Sequence, residues 1–116
     1  MYTENLHQQV ECSAYPKNKN LVQLFEEQVN ENKEKISYIY QDIPITYDEL
    51  NIRANQLAHF IDKFEINTRS CIAIYFERNT ETIVAFLSVL KSGNTYIPID
   101  IDAPLELIKK IIFFYY

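Results

Sequence analysis

The sequence predicts an α/β fold: a βαβ unit with parallel strands, flanked by helices and a small hairpin. Three observations predict it. The near-continuous apolar run 71–76 reads as a strand covered on both faces. A helical stretch from about Thr80 to Ser92 follows, apolar nearly all round through Ile83, Val84, Ala85, Phe86, Leu87, Val89 and Leu90. A second buried strand, Tyr96-Ile97-Pro98-Ile99, is predicted next, so strand, helix and strand fit within about 30 residues, the span of one βαβ unit.

The remaining elements follow in chain order. Residues 1–19 have no periodicity and read as a tail or linker. The stretch Met1 to Pro16 is polar and has no apolar core of the kind a secretory signal carries. Asn20 is an acceptable N-cap with Gln23 three residues on, and Leu21, Leu24, Phe25 and Val29 share one side of the helix they open. The charged run Glu31-Asn32-Lys33-Glu34-Lys35 ends that helix in solvent. Ile36-Ser37-Tyr38-Ile39-Tyr40 and Ile43-Pro44-Ile45 predict a hairpin around Gln41-Asp42, with Pro44 holding the second strand to an edge. Thr46 and Glu49 predict a capping box, and Ile45 and Leu50 a hydrophobic staple across it. The helix they open, about Tyr47 to Lys63, carries Leu50, Ala54, Leu57, Ala58, Ile61 and Phe64 on its apolar face, while Asn51, Arg53, Asn55 and Asp62 fall off it. After Pro104 a last helix is predicted from Leu105 to about Ile112, stopping at Phe113-Phe114-Tyr115-Tyr116. Few layers are available to cover the all-round apolar helix, which predicts a loosely packed or aggregating chain when it is made alone.

Composition narrows the function. Hydrophobic residues make up 47% and charged residues 23%, ordinary values for a globular chain of 116 residues, which is one domain at most, or part of one. Nine Tyr and seven Phe supply aromatic bulk. A net charge of −5 disfavours a nucleic-acid backbone or an anionic membrane as partner. No apolar run approaches the ~20 residues that span a bilayer, and a cytoplasmic location is expected. Cys12 and Cys71 read as a reduced, separate pair, Cys71 as a buried small hydrophobe. His7 and His59 are isolated, His59 at the surface, and no spacing reads as a metal site. Glu26-Glu27 reads as a solvated face and Glu77-Arg78 as a local ion pair.

Gly93 is the single glycine, where average usage would give about eight. A loop that cradles phosphate needs several, because backbone N–H groups must approach the ligand with no Cβ in the way. The sequence therefore offers no glycine-rich phosphate loop. Lys91 in the last helical turn and Gly93 just beyond it predict instead a helix C-terminus with Gly93 in the left-handed conformation.

Three segments resemble the N-terminal part of the amino-acid adenylation domain of nonribosomal peptide synthetases, members of the adenylate-forming ligase superfamily. The first is Tyr15-Pro16 with Leu21-Val22-Gln23-Leu24-Phe25-Glu26-Glu27-Gln28-Val29, similar to the helix that opens the domain after an upstream condensation domain. The second, Ile45-Thr46-Tyr47-Asp48-Glu49-Leu50 continuing to Ala58, is similar to the first core motif. The third, Leu90 to Asp100, is similar to the second core motif, and Glu77-Arg78 fits as well. The resemblance runs over about residues 15 to 112. It implies that residues 1–19 are a linker or disordered tail and that residues 20–116 are a truncated N-terminal portion of the domain. The motif residues Thr46, Tyr47, Glu49, Leu50, Leu90, Lys91, Gly93, Tyr96, Pro98 and Asp100 then read as structural.

The family activates an amino acid with ATP, releasing pyrophosphate, and passes the acyl group to the phosphopantetheine thiol of a carrier domain. The resemblance implies ATP, Mg²⁺ and phosphopantetheine for the complete domain, which has on the order of 500 residues. The family's phosphate loop, nucleotide contacts, Mg²⁺ ligand, specificity pocket and catalytic lysine lie downstream of the second motif. No catalytic, cofactor-binding or metal residue is therefore expected in this chain, and it is expected to be inactive alone, with the remainder of the synthetase as partner. Two alternatives are a non-catalytic interaction module that completes a split synthetase, and a fragment of an acyl-CoA or aryl-acid ligase. Ile101 and Ala103 depart from the Pro and Tyr common after the second motif, and the pattern is lost from Ile111 to Tyr116. A frameshift, a premature stop near residue 113 or an incomplete gene would each produce that ending.

Overall fold

A computed structural model describes residues 17–64 and 70–115. The tail predicted over 1–19 lies mostly outside the described residues, with His7 and Cys12. The elements in order are α1 (Leu21–Asn32), β1 (Ile36–Tyr40), β2 (Ile43–Thr46), α2 (Tyr47–Asp62), β3 (Cys71–Phe76), α3 (Thr80–Lys91), β4 (Thr95–Asp100) and α4 (Leu105–Tyr115). They form two separate two-stranded sheets, β1–β2 and β3–β4.

Local chemistry sets the boundaries. Asn20 and Gln23 close a full capping box at α1: the Gln23 amide donates to Asn20 Oδ1 at 2.8 Å and the Asn20 amide to Gln23 Oε1 at 2.9 Å. The hairpin turns on Gln41 (φ 48°) and Asp42 (φ 64°), both left-handed as a type I′ turn requires. β1 and β2 pair antiparallel with a register irregularity between Ile36 and Tyr38. There Ser37 Oγ donates to the Ile45 carbonyl at 2.9 Å. Thr46 caps α2 by accepting from the Glu49 amide at 3.1 Å. The predicted box is only half formed: the Glu49 carboxylate turns to Arg53, one helical turn on, at 2.6 Å, a pairing that competes for the same oxygens.

The parallel unit is present. β3 and β4 pair in register from Cys71–Thr95 to Phe76–Asp100. The Thr95 amide donates to the Ser70 carbonyl and the Ile101 amide to the Phe76 carbonyl. Donor direction alternates along a strand, so the amides of odd-numbered β4 residues face β3 and those of even-numbered residues face away. Pro98, which has no N–H, occupies an outward position. Asn79 caps α3 by accepting from the Thr82 amide at 3.0 Å. At the other end Gly93 takes φ 79°. The Gly93 amide donates to the Leu90 carbonyl and the Asn94 amide to the Val89 carbonyl, each at 3.1 Å, the paired bonds of a Schellman cap. Any Cβ at this φ meets the neighbouring carbonyl, so Gly93→Ala is expected to lower stability by about 1–2 kcal/mol, read as a shift in urea midpoint with unchanged slope.

The core lies between α2, α3 and the hairpin. Ile45, Leu50 and Val84 form its centre, with Phe25, Leu57, Ile83 and Leu87 packed against it. The staple residues Ile45 and Leu50 therefore meet as predicted. Val29, Ala54, Ala58, Val89 and Ile99 are also buried.

Several expectations are corrected. β3 is not covered on both faces: Cys71, Ala73 and Tyr75 are exposed, while Ile72, Ile74 and Phe76 on the other side are half-buried. Cys71 is thus an exposed free thiol, not a buried hydrophobe. In β4 only Ile99 is buried, so that strand is not the buried one expected. Phe64 lies off the core, 63% exposed, in edge contact with Phe60 beyond the end of α2. Asn51, expected off the apolar face, has its Oδ1 buried and without a hydrogen-bond partner. α4 runs to Tyr115 instead of stopping near Ile112. Its residues Ile111 to Tyr115 continue an unbroken helix-compatible apolar run, with no Gly or Pro to stop it.

Candidate functional site

The two core-motif segments meet at one cavity beside α3. Tyr47 and Leu50, from the start of α2, face Leu90 and Tyr96, from the end of α3 and the start of β4, across an apolar cavity of about 320 Å³. Leu21 and Phe25 of α1, Ser37 of β1, and Ile83, Phe86 and Leu87 of α3 line it as well. The rings are ordered against one another. Tyr96 stacks on Phe86 with centroids 4.6 Å apart and planes at 16°, and Phe86 meets Phe76 edge-on at 5.8 Å. Phe25 and Tyr47 are tilted neighbours at 6.3 Å. Such contacts each contribute on the order of 1 kcal/mol beyond area burial.

Lys91 is the charged residue of this region. Its side chain is only 6% exposed, and its Nζ donates to Glu26 Oε1 at 2.9 Å and lies 5.7 Å from the centre of the Phe25 ring. Sequence reasoning places Lys91 in the last turn of a helix and Glu26 on a solvated face; the structure joins them across 65 residues of chain. No local periodicity marks such a pair. Sequence reasoning also missed Asn94, which is buried. Its Oδ1 accepts from the Ser70 amide at 3.0 Å and its Nδ2 donates to Ser92 Oγ at 2.9 Å, so it ties the loop before β3 to the end of α3. Its position directly after the helix-ending glycine was the available signal.

The remaining motif residues sit at helix ends, within α2 and along β4. Thr46 and Gly93 terminate helices, and Glu49 pairs within α2. Pro98 pairs with Ile74 in the ladder. Asp100 accepts from the Asp102 amide at 2.9 Å and turns the chain after β4.

A second, polar cleft of about 460 Å³ lies at the carboxyl ends of β3 and β4, lined by Phe76, Glu77, Arg78, Asp100, Ile101 and Asp102. Glu77 and Arg78 are both exposed and do not form the ion pair expected of them. Thr82 Oγ1 donates to the Glu77 carbonyl, fixing the loop into α3. Among the described residues, no three His, Cys, Asp or Glu side chains gather closely enough to hold a metal ion. None of their helices is long and apolar enough to cross a membrane.

Comparison with known proteins agrees with this geometry. Residues 25–113 match the family described as AMP-binding enzyme. The chain is 41% identical over 98 residues to gramicidin S synthase 2 of Brevibacillus brevis, covering 84% of this chain and 2% of that protein. It is 38% identical over 100 residues to gramicidin S synthase 1 of the same organism, covering 86% of this chain and 9% of that one. In structure it is similar to the N-terminal subdomain of NpsA from Klebsiella oxytoca, with a TM-score of 0.77 at 23% identity, over 81% of this chain and 25% of that one. It is also similar to NpsA fused to ThdA, an adenylation–PCP di-domain, with a TM-score of 0.80. The chain therefore spans under a tenth of these curated synthetases and about a quarter of the solved subdomain. With its caps, its parallel unit and both core motifs in place, the chain belongs to the AMP-binding enzyme family, and within it corresponds to a small part of the adenylation domain of a nonribosomal peptide synthetase.

Proposed function

We propose that this chain is a structural piece of an amino-acid-activating domain, inactive alone and working in the cytoplasm only with the remainder of the synthetase. The complete domain would join an amino acid to ATP as aminoacyl-AMP with loss of pyrophosphate, using Mg²⁺. It would then load the acyl group onto a phosphopantetheine thiol. The observation that carries this reading is the two-stranded parallel sheet whose β3 leaves Cys71, Ala73 and Tyr75 exposed on one side. Parallel sheets are normally covered on both faces, so β3–β4 reads as part of a larger sheet. The orphaned acceptor Asn51 Oδ1 and the exposed Ile52 and Phe60 on α2 support it, as groups awaiting partners. Identity near 40% to peptide synthetases favours that branch over an acyl-CoA or aryl-acid ligase.

The test is complementation. The chain is co-expressed with the part of the gramicidin S synthase 1 adenylation domain that follows the matched segment. Co-purification of the two polypeptides, with ATP–pyrophosphate exchange above that of either alone, is the expected result. Two polypeptides that never co-purify would refute the reading.

A further inference from the structure

We propose that α1 is a strap, hinged at its C-terminal end and latched by Lys91, which opens from the apolar cavity as a unit while α2 and α3 stay folded. The hinge is visible in backbone bonds. Just past α1, the Lys33 carbonyl accepts from the Asp48 amide at 3.1 Å and the Lys35 carbonyl from the Tyr47 amide at 3.0 Å. These pin the end of α1 to the start of α2. The body of the helix is held more lightly. Val29 is its only buried residue, and Leu21, at the far end, is 59% exposed. Between them Phe25 lines the cavity and packs against the edge of the core, and Glu26 makes the polar tie to α3.

The latch is asymmetric. Lys91 is buried against Phe25, whereas the Glu26 side chain is 51% exposed. Solvent and salt therefore reach the tie from the Glu26 side. Releasing it frees α1 at one end only, because the bonds at Lys33 and Lys35 are untouched. The cavity wall that α1 covers, including Tyr47, Leu87 and Leu90, then opens to solvent. Segments with few buried contacts open locally in this way, ahead of the core. This inference does not rest on the proposed function.

Amide hydrogen exchange on the full chain tests it. Glu26→Gln is expected to speed exchange of the α1 amides about fivefold, the factor that corresponds to losing one modest ion pair, and to leave those around Val84–Leu90 of α3 unchanged. Lys91→Met keeps the stem over Phe25 and removes the charge; it is expected to act in the same direction. Added salt is expected to speed α1 exchange in the parent and to have little effect in either variant. The proposal is overturned if α1 and α3 lose protection together, if α1 is unchanged in both variants, or if neither helix is protected in the parent.

Discussion

The isolated chain is expected to give no ATP–pyrophosphate exchange with any amino acid and to bind no nucleotide stoichiometrically. The structure supplies a sharper reason than the glycine count. Gly93 is committed to ending α3, where its φ of 79° is needed for the turn into β4. It cannot also form a phosphate cradle. Helix N-termini are the other common anion sites, but those of α1, α2 and α3 are occupied by their own caps, Asn20, Thr46 and Asn79. The cavity between the motifs is lined by apolar and aromatic side chains. The Lys91 ammonium, next along α3 from the lining residue Leu90, is engaged by Glu26. An adenylyl transfer needs donors aimed at the developing charge, and the Lys91 ammonium is already paired. Exchange assays and equilibrium dialysis with ATP and Mg²⁺ check the expectation. A one-to-one nucleotide complex of the 116-residue chain would overturn it.

Leu50→Ala is the substitution expected to damage the fold most. Leu50 is 4% exposed and sits with Ile45 and Val84 at the centre of the core. Truncating a buried leucine costs about 2–5 kcal/mol through lost transfer energy and the cavity left behind. A domain of ordinary stability has only about 5–15 kcal/mol in total, and this core is small. The variant is expected to lose most of its soluble yield and any cooperative urea transition that the parent chain shows. Ile52→Ala, two positions on but 49% exposed, serves as control and is expected to change the midpoint little. Equal losses from the two would show that the cluster around Leu50 is not the centre of stability.

These two expectations differ in how far the sequence alone supports them. Asn20, Thr46 and Gly93 act on groups within four residues, so caps and chain reversals are written locally and could be read before any coordinates. The same holds for the parallel pair, whose strands and intervening helix are consecutive. Burial was read less well. The run Cys71–Phe76 has the composition of a strand with two covered faces, but what covers a strand is decided by distant chain. The half-formed box at Thr46 failed for another reason: Glu49 had two partners in reach, and composition does not rank them. The Lys91–Glu26 tie joins elements that only tertiary packing brings together, so neither residue carried a sign of the other.

One proline decides which way the β-structure can grow. With no hydrogen to give at the middle of its outer side, β4 is a poor template for another chain. β3 has no such gap along its free border. A neighbouring strand supplied from elsewhere should consequently join beside Cys71–Phe76, leaving β4 as the rim.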